Sequence, residues 1–413
     1  MTRILAYTSP ARGHLFPLVP ILLQLRERGH EISLRTLGSE VERMRALGFD
    51  AAPIDPAIEA IEHDDHRALT PLGAQRLAMR TFSWRAEHDA GDLHRAIGDV
   101  EPDALLVDVQ AWGALATAEA WGGVWGAWCP YPLPLASRGA PPFGPGFAPA
   151  GGPLGRLRDA LLGPLLFGSL VRLVLPRVNE VRQKSGLAPL GDPARLFTGI
   201  PLLLYLTAEP FEYSHPDWPE TIRLVGPCEW DPPESPPGWL AEVQEPIVLV
   251  TTSSEFQDDG RLVRCALEAL AEEPVHVVAT LPSEDPLVHS PPQNAHVLPF
   301  TSHGPILDRA VCAITHGGMG ATQKALARGV PVCAVPFGRD QLEVARRVEV
   351  ARAGVRLPVR RLAPKRLRAA VREATGRADG ARRVAAGYRA AGGAVAAADL
   401  VERQLRTGRS EPW

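Results

Sequence analysis

Short apolar runs alternate with longer amphipathic segments along the first half of the chain. The apolar runs predict strands, and the segments between them have the period of helices. Strands are predicted at 3–7, 31–36, 104–107 and 124–128, and helices at 17–28, 39–47 and 112–121. This alternation is typical of βαβ units that build a parallel sheet with helices on its faces.

The alternation starts again beyond a proline-rich stretch at 227–246, which favours a semi-rigid connector between domains. The second half predicts strands at 247–251, 275–280, 310–315 and 330–335, helices at 260–271, 319–327 and 341–351, and a helical tail at 378–406. We therefore expect an α/β protein with two Rossmann-like, doubly wound parallel-sheet domains, the first spanning residues 1–226. Such sheets bind ligands at the carboxyl ends of their strands, so two domains facing each other would enclose a cleft.

Residues 129–155 are crowded with proline, glycine and aromatic residues. Such a segment is unsuited to a central strand or a helix. Because long loops inside compact domains are usually functional, we expect this loop to form a wall of a binding cleft. The apolar stretch 160–175 follows it and is broken by Gly163-Pro164 and Arg172. It is too short to span a bilayer, so it predicts a buried or groove-lining helix, with peripheral lipid contact as the alternative.

Length, charge and cysteine usage narrow the classes of protein. A chain of 413 residues has ample material for two domains, and its net charge of -3 favours neither nucleic acid nor an anionic membrane surface. The five cysteines are scattered without any C-x-x-C pair, which argues against a disulfide framework or a zinc site. With no signal-peptide layout and no transmembrane segment predicted, we expect a cytoplasmic protein that binds small molecules.

The segment 315–322, Thr-His-Gly-Gly-Met-Gly-Ala-Thr, follows a predicted buried strand and opens a helix. Glycines at a helix N-terminus expose backbone N–H groups, and the helix dipole favours an anion there. His316 adds an imidazole and Thr322 a hydroxyl, so the segment predicts a diphosphate cradle. The alternative is that the glycines only form a tight turn. No Walker loop and no complete G-x-G-x-x-G after the first strand are present.

Two further groups follow predicted strands. Asp340 and Gln341 come after the strand at 330–335 and are suited to sugar hydroxyls, although Asp340 could equally cap its own helix. His14 lies between the first strand and its helix, where a neutral imidazole suits proton abstraction. Asp108 ends another parallel strand at the same sheet edge and is a candidate to orient His14. For His14, a capping or surface position is the alternative.

The sequence resembles the family-1, GT-B-fold glycosyltransferases, a group that includes UDP-glycosyltransferases and bacterial macrolide and antibiotic glycosyltransferases. The resemblance covers nearly the whole chain. Its motifs are Gly-His-Leu-Phe-Pro-Leu-Val-Pro at 13–20, Arg-Gly-His at 28–30, Leu-Val-Asp at 106–108, and the specific block His-Gly-Gly-x-Gly … Gly-Val-Pro … Pro-x-x-x-Asp-Gln at 316–341.

The resemblance implies roles for these residues. His14 would be the general base and Asp108 its partner. The donor diphosphate would be held by a set of residues in the glycine turn: His316, Gly318, Met319, Gly320, Ala321 and Thr322. Asp340 and Gln341 would hold the sugar, and Ser253 would lie near the phosphates. Phe300 and Thr301 would lie on either side of the nucleotide base.

It also implies domain roles. The N-terminal domain, residues 1–226, would bind the acceptor, and residues 247–395 would bind the nucleotide sugar. Residues 396–413 would form a helix that crosses back to the first domain.

Three departures from the family pattern bear on the donor. Lys324 stands where many members have a glutamate that contacts ribose hydroxyls, and lysine cannot accept those hydrogen bonds. Members that use TDP-sugars need no 2′-hydroxyl contact, so Lys324 favours TDP- over UDP-sugars. Thr-Ser-His at 301–303 replaces Val-Pro-Gln, and Ala321 replaces a hydroxyl residue, which leaves only a backbone N–H there.

No metal site is expected. The cluster His63-Asp64-Asp65-His66 is better read as an exposed acidic loop, because four adjacent side chains cannot all converge. Asp258-Asp259 precedes a predicted helix and suits capping.

The sequence thus predicts an inverting, metal-independent glycosyltransferase. It would use a TDP- or UDP-sugar as co-substrate, need no cofactor, and glycosylate a lipophilic small-molecule acceptor such as a natural-product aglycone. A sugar-nucleotide 2-epimerase and an inactive ligand-binding member of the same fold are the alternatives. The sugar, the aglycone, the attacking atom (oxygen, nitrogen or carbon) and the oligomeric state, a homodimer included, are left open.

Overall fold

A computed structural model describes residues 1–62, 64, 67–68 and 71–408 of the chain. In that part of the chain the strands form two parallel sheets, one in each half, with helices on both faces. The fold class predicted from the alternating pattern is therefore confirmed.

The first sheet has seven parallel strands in the order β3-β2-β1-β4-β5-β6-β7. The strands are β1 (Arg3–Tyr7), β2 (Glu31–Thr36), β3 (Asp50–Pro53), β4 (Ala104–Asp108), β5 (Val124–Cys129), β6 (Leu203–Tyr205) and β7 (Ile222–Leu224). The accompanying helices are α1 (Arg12–Glu27), α2 (Val41–Ala46), α3 (Pro56–Glu59), α4 (Pro71–Val100), α5 (Trp112–Trp121), α6 (Pro153–Lys184) and α7 (Arg195–Thr198).

The second sheet has six parallel strands in the order β10-β9-β8-β11-β12-β13. The strands are β8 (Ile247–Thr251), β9 (His276–Thr280), β10 (Ala295–Leu298), β11 (Ala310–Thr315), β12 (Val332–Ala334) and β13 (Gly354–Arg356). Its helices are α8 (Gly260–Leu270), α9 (His303–Leu307), α10 (Met319–Ala327), α11 (Gln341–Val350), α12 (Pro364–Thr375) and α13 (Ala378–Ala391), followed by α14 (Gly393–Thr407).

Alternate residues of each strand feed separate cores on the two sheet faces. In β1, Leu5 and Tyr7 pack with α4 and α5, whereas Ile4 and Ala6 pack with α1. Helix α14 joins the second of these cores through Ala397, Ala398 and Val401. The C-terminal helix of the described chain thus packs on the first sheet, although it follows the second sheet in sequence.

The two helices that differ most from the prediction are α4 and α6. Helix α4 was not predicted at all. Helix α6 was predicted only at 160–175, yet it begins at Pro153 and continues past Pro164 and Pro176. The prolines do not end it, and the loop that precedes it is shorter than 129–155. No helix within the described residues is both long enough and apolar enough to cross a bilayer.

The chain passes between the two halves at two places that touch each other. The first is the stretch after β7, and the second is the turn Gly392-Gly393 between α13 and α14. The Gly393 amide donates to the Val225 carbonyl at 2.6 Å. Both glycines have positive φ angles, 90° and 58°, which suits a sharp turn between helices.

A buried ion pair also joins the two halves. Arg347 of α11 donates through Nε and Nη2 to Glu212, which follows β6, with both distances 2.8 Å. Both side chains are almost inaccessible to solvent. Burial alone would raise the pKa of Glu212, but the Arg347 charge and the hydrogen bonds of the carboxylate lower it to about 2.

Arg347→Ala is therefore expected to lower the free energy of unfolding by about 3–5 kcal/mol, because Glu212 would stay buried without its cation. The stabilisation from the lowered Glu212 pKa is complete above its unfolded pKa and is lost as the pH falls towards about 2. Urea unfolding measures the change. Arg372→Ala, which removes an exposed pair with Glu273, is the control and should cost less than about 1 kcal/mol. Equal effects of the two substitutions would contradict the expectation.

Candidate active site

A single continuous cavity of about 620 Å³ lies between the two sheets. Its walls come from both halves. The first half contributes the start of α1, part of α4, the loop after β5 and part of α6. The second half contributes the loops after β8 and β11, the start of α10 and the residues before α11. As expected for doubly wound sheets, these segments follow the carboxyl ends of strands.

His14 and Asp108 meet in this cavity. His14 lies in the first turn of α1, after β1, and Asp108 ends the neighbouring strand β4. His14 Nδ1 is 2.9 Å from each Asp108 carboxylate oxygen. The imidazole is 12% exposed and the carboxylate is fully buried. The geometry leaves Nε2 as the ring nitrogen that is free to accept a proton from a ligand.

Asp108 is held in place by donors from two loops. Its Oδ2 accepts from the Ser9 amide at 3.0 Å and the Ser9 hydroxyl at 2.6 Å, and its Oδ1 accepts from the Gln110 amide at 2.9 Å. Burial would raise the pKa of Asp108, but the charge of His14 and these donors lower it. The carboxylate is therefore ionised and acts as a fixed acceptor for the Nδ1 proton of His14.

The pKa of His14 is shifted upwards. Burial lowers it, but the charge of Asp108 and the Asp108 hydrogen bond together outweigh burial. Asp340 and Glu255, which line the cavity from the second half, raise the pKa further. A histidine with these neighbours is a stronger base than a free imidazole and forms a stabilised imidazolium once it takes a proton.

The glycine turn between β11 and α10 lines the opposite wall. Gly317 has φ 86°, a conformation that favours glycine, and Gly318 is the N-cap of α10. A β-carbon on Gly318 would lie 2.2 Å from His316 Nε2, so the imidazole packs directly over that residue. Gly320 has no other atom within 4 Å of a β-carbon position. The turn therefore presents open backbone at the N-terminus of α10, which suits an anion.

His316 is buried, and its Nδ1 is 3.5 Å from the Thr251 carbonyl at the end of β8. Burial lowers its pKa. Because a carbonyl only accepts, this contact requires the proton on Nδ1 and directs Nε2 towards the turn. A bound anion beside the ring would favour the doubly protonated form, in which Nε2 also donates.

The remaining predicted donor residues are placed differently. Ser253, Met319, Ala321, Phe300, Asp340 and Gln341 line the cavity, whereas Thr301 and Thr322 are buried and do not. The Thr322 hydroxyl lies 3.2 Å from the Thr315 hydroxyl, so it braces the turn. The expectation that this hydroxyl points at the diphosphate is not supported by its position.

Asp340 and Gln341 differ in their availability. Asp340 is the N-cap residue of α11, but its side chain makes no capping hydrogen bond, and burial raises the pKa of its carboxyl group. The Gln341 amide is already engaged: its Nε2 donates to Gln257 at 2.8 Å, and its Oε1 accepts from the amides of Phe337 and Gly338. Gln341 thus orders the strand-to-helix turn that presents Asp340.

Residues 264–397 match the family model described as Erythromycin biosynthesis protein CIII-like, C-terminal domain. The 4'-demethylrebeccamycin synthase of Lentzea aerocolonigenes is 33% identical over 390 residues, which cover 90% of this chain and 91% of that relative. The chain belongs to the family-1 antibiotic glycosyltransferases.

Other similar proteins agree with this family. A PGL/p-HBAD biosynthesis glycosyltransferase of Mycobacterium tuberculosis strain H37Ra is 33% identical over 216 residues, 52% of this chain and 49% of the relative. The glycotransferase of kitacinnamycin superposes with a TM-score of 0.75 at 24% identity and covers 98% of both chains. The glycosyltransferase VinC in complex with dTDP has a TM-score of 0.71 at 21% identity and covers 98% of this chain and 100% of its own. These structures establish the GT-B fold.

Trp230 and Asp231 also line the cavity of this glycosyltransferase, although no motif in the sequence indicated them. Lys324 on α10 donates to the Trp230 carbonyl at 3.0 Å and to Asp231 at 2.5 Å. The wall there thus contains a carboxylate that faces the lysine, although position 324 itself cannot accept. His303 lies alongside, and burial lowers its pKa to about 4. These contacts join residues far apart in sequence, and no motif announces them.

The cavity of the glycosyltransferase also extends deep into the first half. There its lining is apolar and comes mainly from α4, α6 and α7, through Ala78, Met79, Phe82, Trp112, Val174, Leu175, Leu196 and Phe197. Most of these residues lie on helices that the sequence did not fully predict. His63, Asp65 and His66 of the acidic cluster lie outside the described residues. Within the described part of the chain, no three His, Cys, Asp or Glu side chains are placed to hold a metal ion.

Proposed function

We propose that this glycosyltransferase moves a sugar from a TDP- or UDP-sugar to a hydroxyl of a lipophilic small molecule, with inversion at the anomeric carbon and without a metal. The observation that supports the proposal most is that the His14–Asp108 pair and the glycine turn of α10 face the same cavity. The proposed base for the acceptor and the proposed anion site for the leaving diphosphate therefore line one cavity.

In the proposed reaction, the acceptor hydroxyl attacks the anomeric carbon and its proton passes to His14 Nε2. The bond between the anomeric carbon and the phosphate oxygen breaks, and its electron pair leaves with the diphosphate. Asp108 stabilises the imidazolium that forms. The N–H groups and dipole of α10 stabilise the charge on the diphosphate, as preorganised donors do where charge develops. Attack from the face opposite the diphosphate inverts the anomeric carbon.

The apolar depth of the first half supports a lipophilic acceptor. Aromatic and aliphatic side chains line that end of the cavity, and the ring centroids of Tyr131 and His14 are 5.5 Å apart. Such a lining favours flat or polycyclic apolar molecules, which gain free energy by leaving water. One relative is named as a 4'-demethylrebeccamycin synthase and another as a glycosyltransferase of PGL/p-HBAD biosynthesis.

The direct test uses purified protein, a panel of TDP- and UDP-sugars and a panel of lipophilic phenols and alcohols, with nucleoside diphosphate release and product mass as readouts. Glycoside formation without added metal and in the presence of EDTA is the expected result. Isomerisation of the donor without an acceptor would instead indicate the epimerase. Nucleotide binding without any product would indicate an inactive member.

Thymidine nucleotides are expected to stabilise the protein more than uridine nucleotides. Lys324 is tied to Asp231 and cannot accept a hydrogen bond from a ribose 2′-hydroxyl, which TDP lacks. Thermal unfolding with TDP and UDP at equal concentrations measures the preference, since a ligand that binds only the folded state raises the apparent stability. Lys324→Glu should reduce the difference between the thermal shifts with TDP and with UDP. A larger shift with UDP would remove the argument from Lys324 while leaving the transferase intact.

The rate is expected to depend on pH through His14. Its neutral form is the base, and its pKa is raised in the folded protein, so kcat/KM should fall on the acid side with a midpoint above the free imidazole value of about 6.5. Asp108→Asn removes the charge that raises the pKa but keeps the burial that lowers it. The midpoint of that variant should therefore move to lower pH. An unchanged midpoint would show that another group governs the acid limb.

A further inference from the structure

The loop at residues 130–152, here named the acceptor wall, lies between β5 and α6 and borders the first half of the cavity. Pro130, Tyr131, Pro134 and Phe143 line the cavity from this loop. Tyr131 is the neighbour of His14 described above, and Phe143 lies further along the same wall. The position of the loop therefore sets the shape of the space beside the catalytic pair.

Near Gly144 and Gly146, the acceptor wall is hydrogen-bonded to helix α11 of the other half. The Glu343 carboxylate accepts from the amides of Gly144 and Gly146, at 2.8 and 2.9 Å. Arg346 Nε donates to the Gly146 carbonyl at 2.8 Å. Gly146 has φ 63°, and a β-carbon there would lie 2.4 Å from the Leu342 carbonyl oxygen. The loop backbone thus lies directly against α11, at a distance that only glycine allows.

At Leu133, a second point of the acceptor wall is connected to the buried Arg347–Glu212 pair. The Leu133 amide donates to the Tyr205 hydroxyl at 3.1 Å, and that hydroxyl donates to Glu212. Glu212 pairs with Arg347, and Arg347 Nη1 donates to Glu343 at 3.0 Å. One series of hydrogen-bonded charged and polar groups therefore connects these two points of the acceptor wall. Since its members are almost fully buried, the series is costly to break at any point.

Helix α11 contacts the glycine turn at its N-terminus. It begins at Gln341, directly after Asp340, and the glycine turn packs on it: a β-carbon at Gly317 would lie 3.1 Å from the Gln341 carbonyl oxygen. A ligand in the glycine turn would therefore lie beside the first turn of α11. The Glu343 carboxylate that holds the acceptor wall lies in that same turn.

We propose that Glu343 and Arg346 are positioning residues that transmit occupancy of the donor site to the acceptor wall through α11. The inference rests on the proposed donor site at the glycine turn. When a nucleotide orders that turn, α11 is held and the acceptor wall is held with it. The acceptor then meets a formed wall beside His14, so donor binding precedes and promotes acceptor binding. A coupling of this kind is reciprocal, because each ligand raises the affinity for the other by the same factor.

Hydrogen–deuterium exchange of the full chain, with and without saturating TDP, tests the coupling. In the wild type, TDP should slow exchange in peptides that cover 316–322 and also in those that cover the acceptor wall. Gly146→Ala should keep the first effect and lose the second, and its unliganded acceptor wall should exchange about tenfold faster, the order expected when a β-carbon enters a left-handed conformation. Arg346→Ala, which removes a partly buried contact and leaves the Glu212–Arg347–Glu343 network intact, should act in the same direction.

Gly151→Ala is the matched control. It lies in the same loop, where a β-carbon would meet open space, and should behave as the wild type. With an active donor and acceptor pair, Gly146→Ala should raise the acceptor KM about tenfold, whereas the dissociation constant for TDP alone should stay within about twofold, a split that general loss of structure would not give. Protection at 316–322 without protection of the acceptor wall in the wild type would overturn the coupling alone. No protection by TDP or UDP anywhere would overturn the donor site and the coupling with it.

Discussion

His14→Ala is expected to lower kcat by about 10²–10⁴-fold, the contribution usual for a positioned general base. The acceptor hydroxyl would then have no group to take its proton, since Asp108 faces His14 and two loop amides and is screened from the ligand. Stabilisation by TDP should remain, because the glycine turn does not contact His14. Initial-rate measurements at saturating donor, together with thermal unfolding in TDP, separate these two effects.

His30→Ala provides a control of the same kind. His30 Nε2 is 3.2 Å from Glu402, so it is also a histidine paired with a carboxylate, but it does not line the cavity. Its removal should leave kcat within about twofold. Turnover by His14→Ala close to that of the wild type would refute the role of His14 as base.

Gly318→Ala is expected to weaken nucleotide binding by about tenfold or more and to remove most of the thermal shift with TDP. The added methyl group would fall 2.2 Å from His316 Nε2, so either the imidazole or the turn must move. Either movement disturbs the N–H groups and the imidazole that face the diphosphate, and each lost charge-assisted hydrogen bond costs about 1.5–3 kcal/mol. Isothermal titration with TDP gives the affinity directly.

Gly238→Ala serves as the comparison, because a β-carbon in that linker position meets no other atom within 4 Å. It should leave both the affinity for TDP and the unfolding temperature unchanged. If Gly318→Ala bound TDP as tightly as Gly238→Ala, the glycine turn would not be the diphosphate site.

The strands of both sheets were predictable because buried parallel strands appear as continuous apolar runs, as Ala104–Asp108 and Ile247–Thr251 do. Helix α4 was not predictable in this way. It buries Arg85, Asp89 and Asp92 among its apolar residues, so its inward face does not read as an apolar stripe. In α6, Gly163-Pro164 and Arg172 suggested interruptions, and only the structure shows that the helix continues past them and past Pro176.

The candidate site was predictable where it follows strand topology. β1 and β4 are neighbours in the sheet, so residues at their carboxyl ends, His14 and Asp108, had to lie close together. Side-chain pairing across long separations was not predictable. Gln341 was expected to bind sugar, but its amide is bound by Gln257, which is 84 positions away in sequence. No sequence pattern predicts that the Glu343 carboxylate binds the amides of Gly144 and Gly146, which lie 199 and 197 positions earlier in the chain.

The two places where the described chain passes between its halves lie side by side, joined by the hydrogen bond from Gly393 to Val225. Because the two chain crossings lie side by side, the halves can rotate about that junction, whereas sliding or twisting apart is resisted there. We expect opening of the cavity to be mainly a rotation about this pivot, through an angle limited by the buried Arg347–Glu212 pair that also joins the halves. Substrates of different thickness would be accommodated by different values of that angle, with the rim farthest from the pivot moving most.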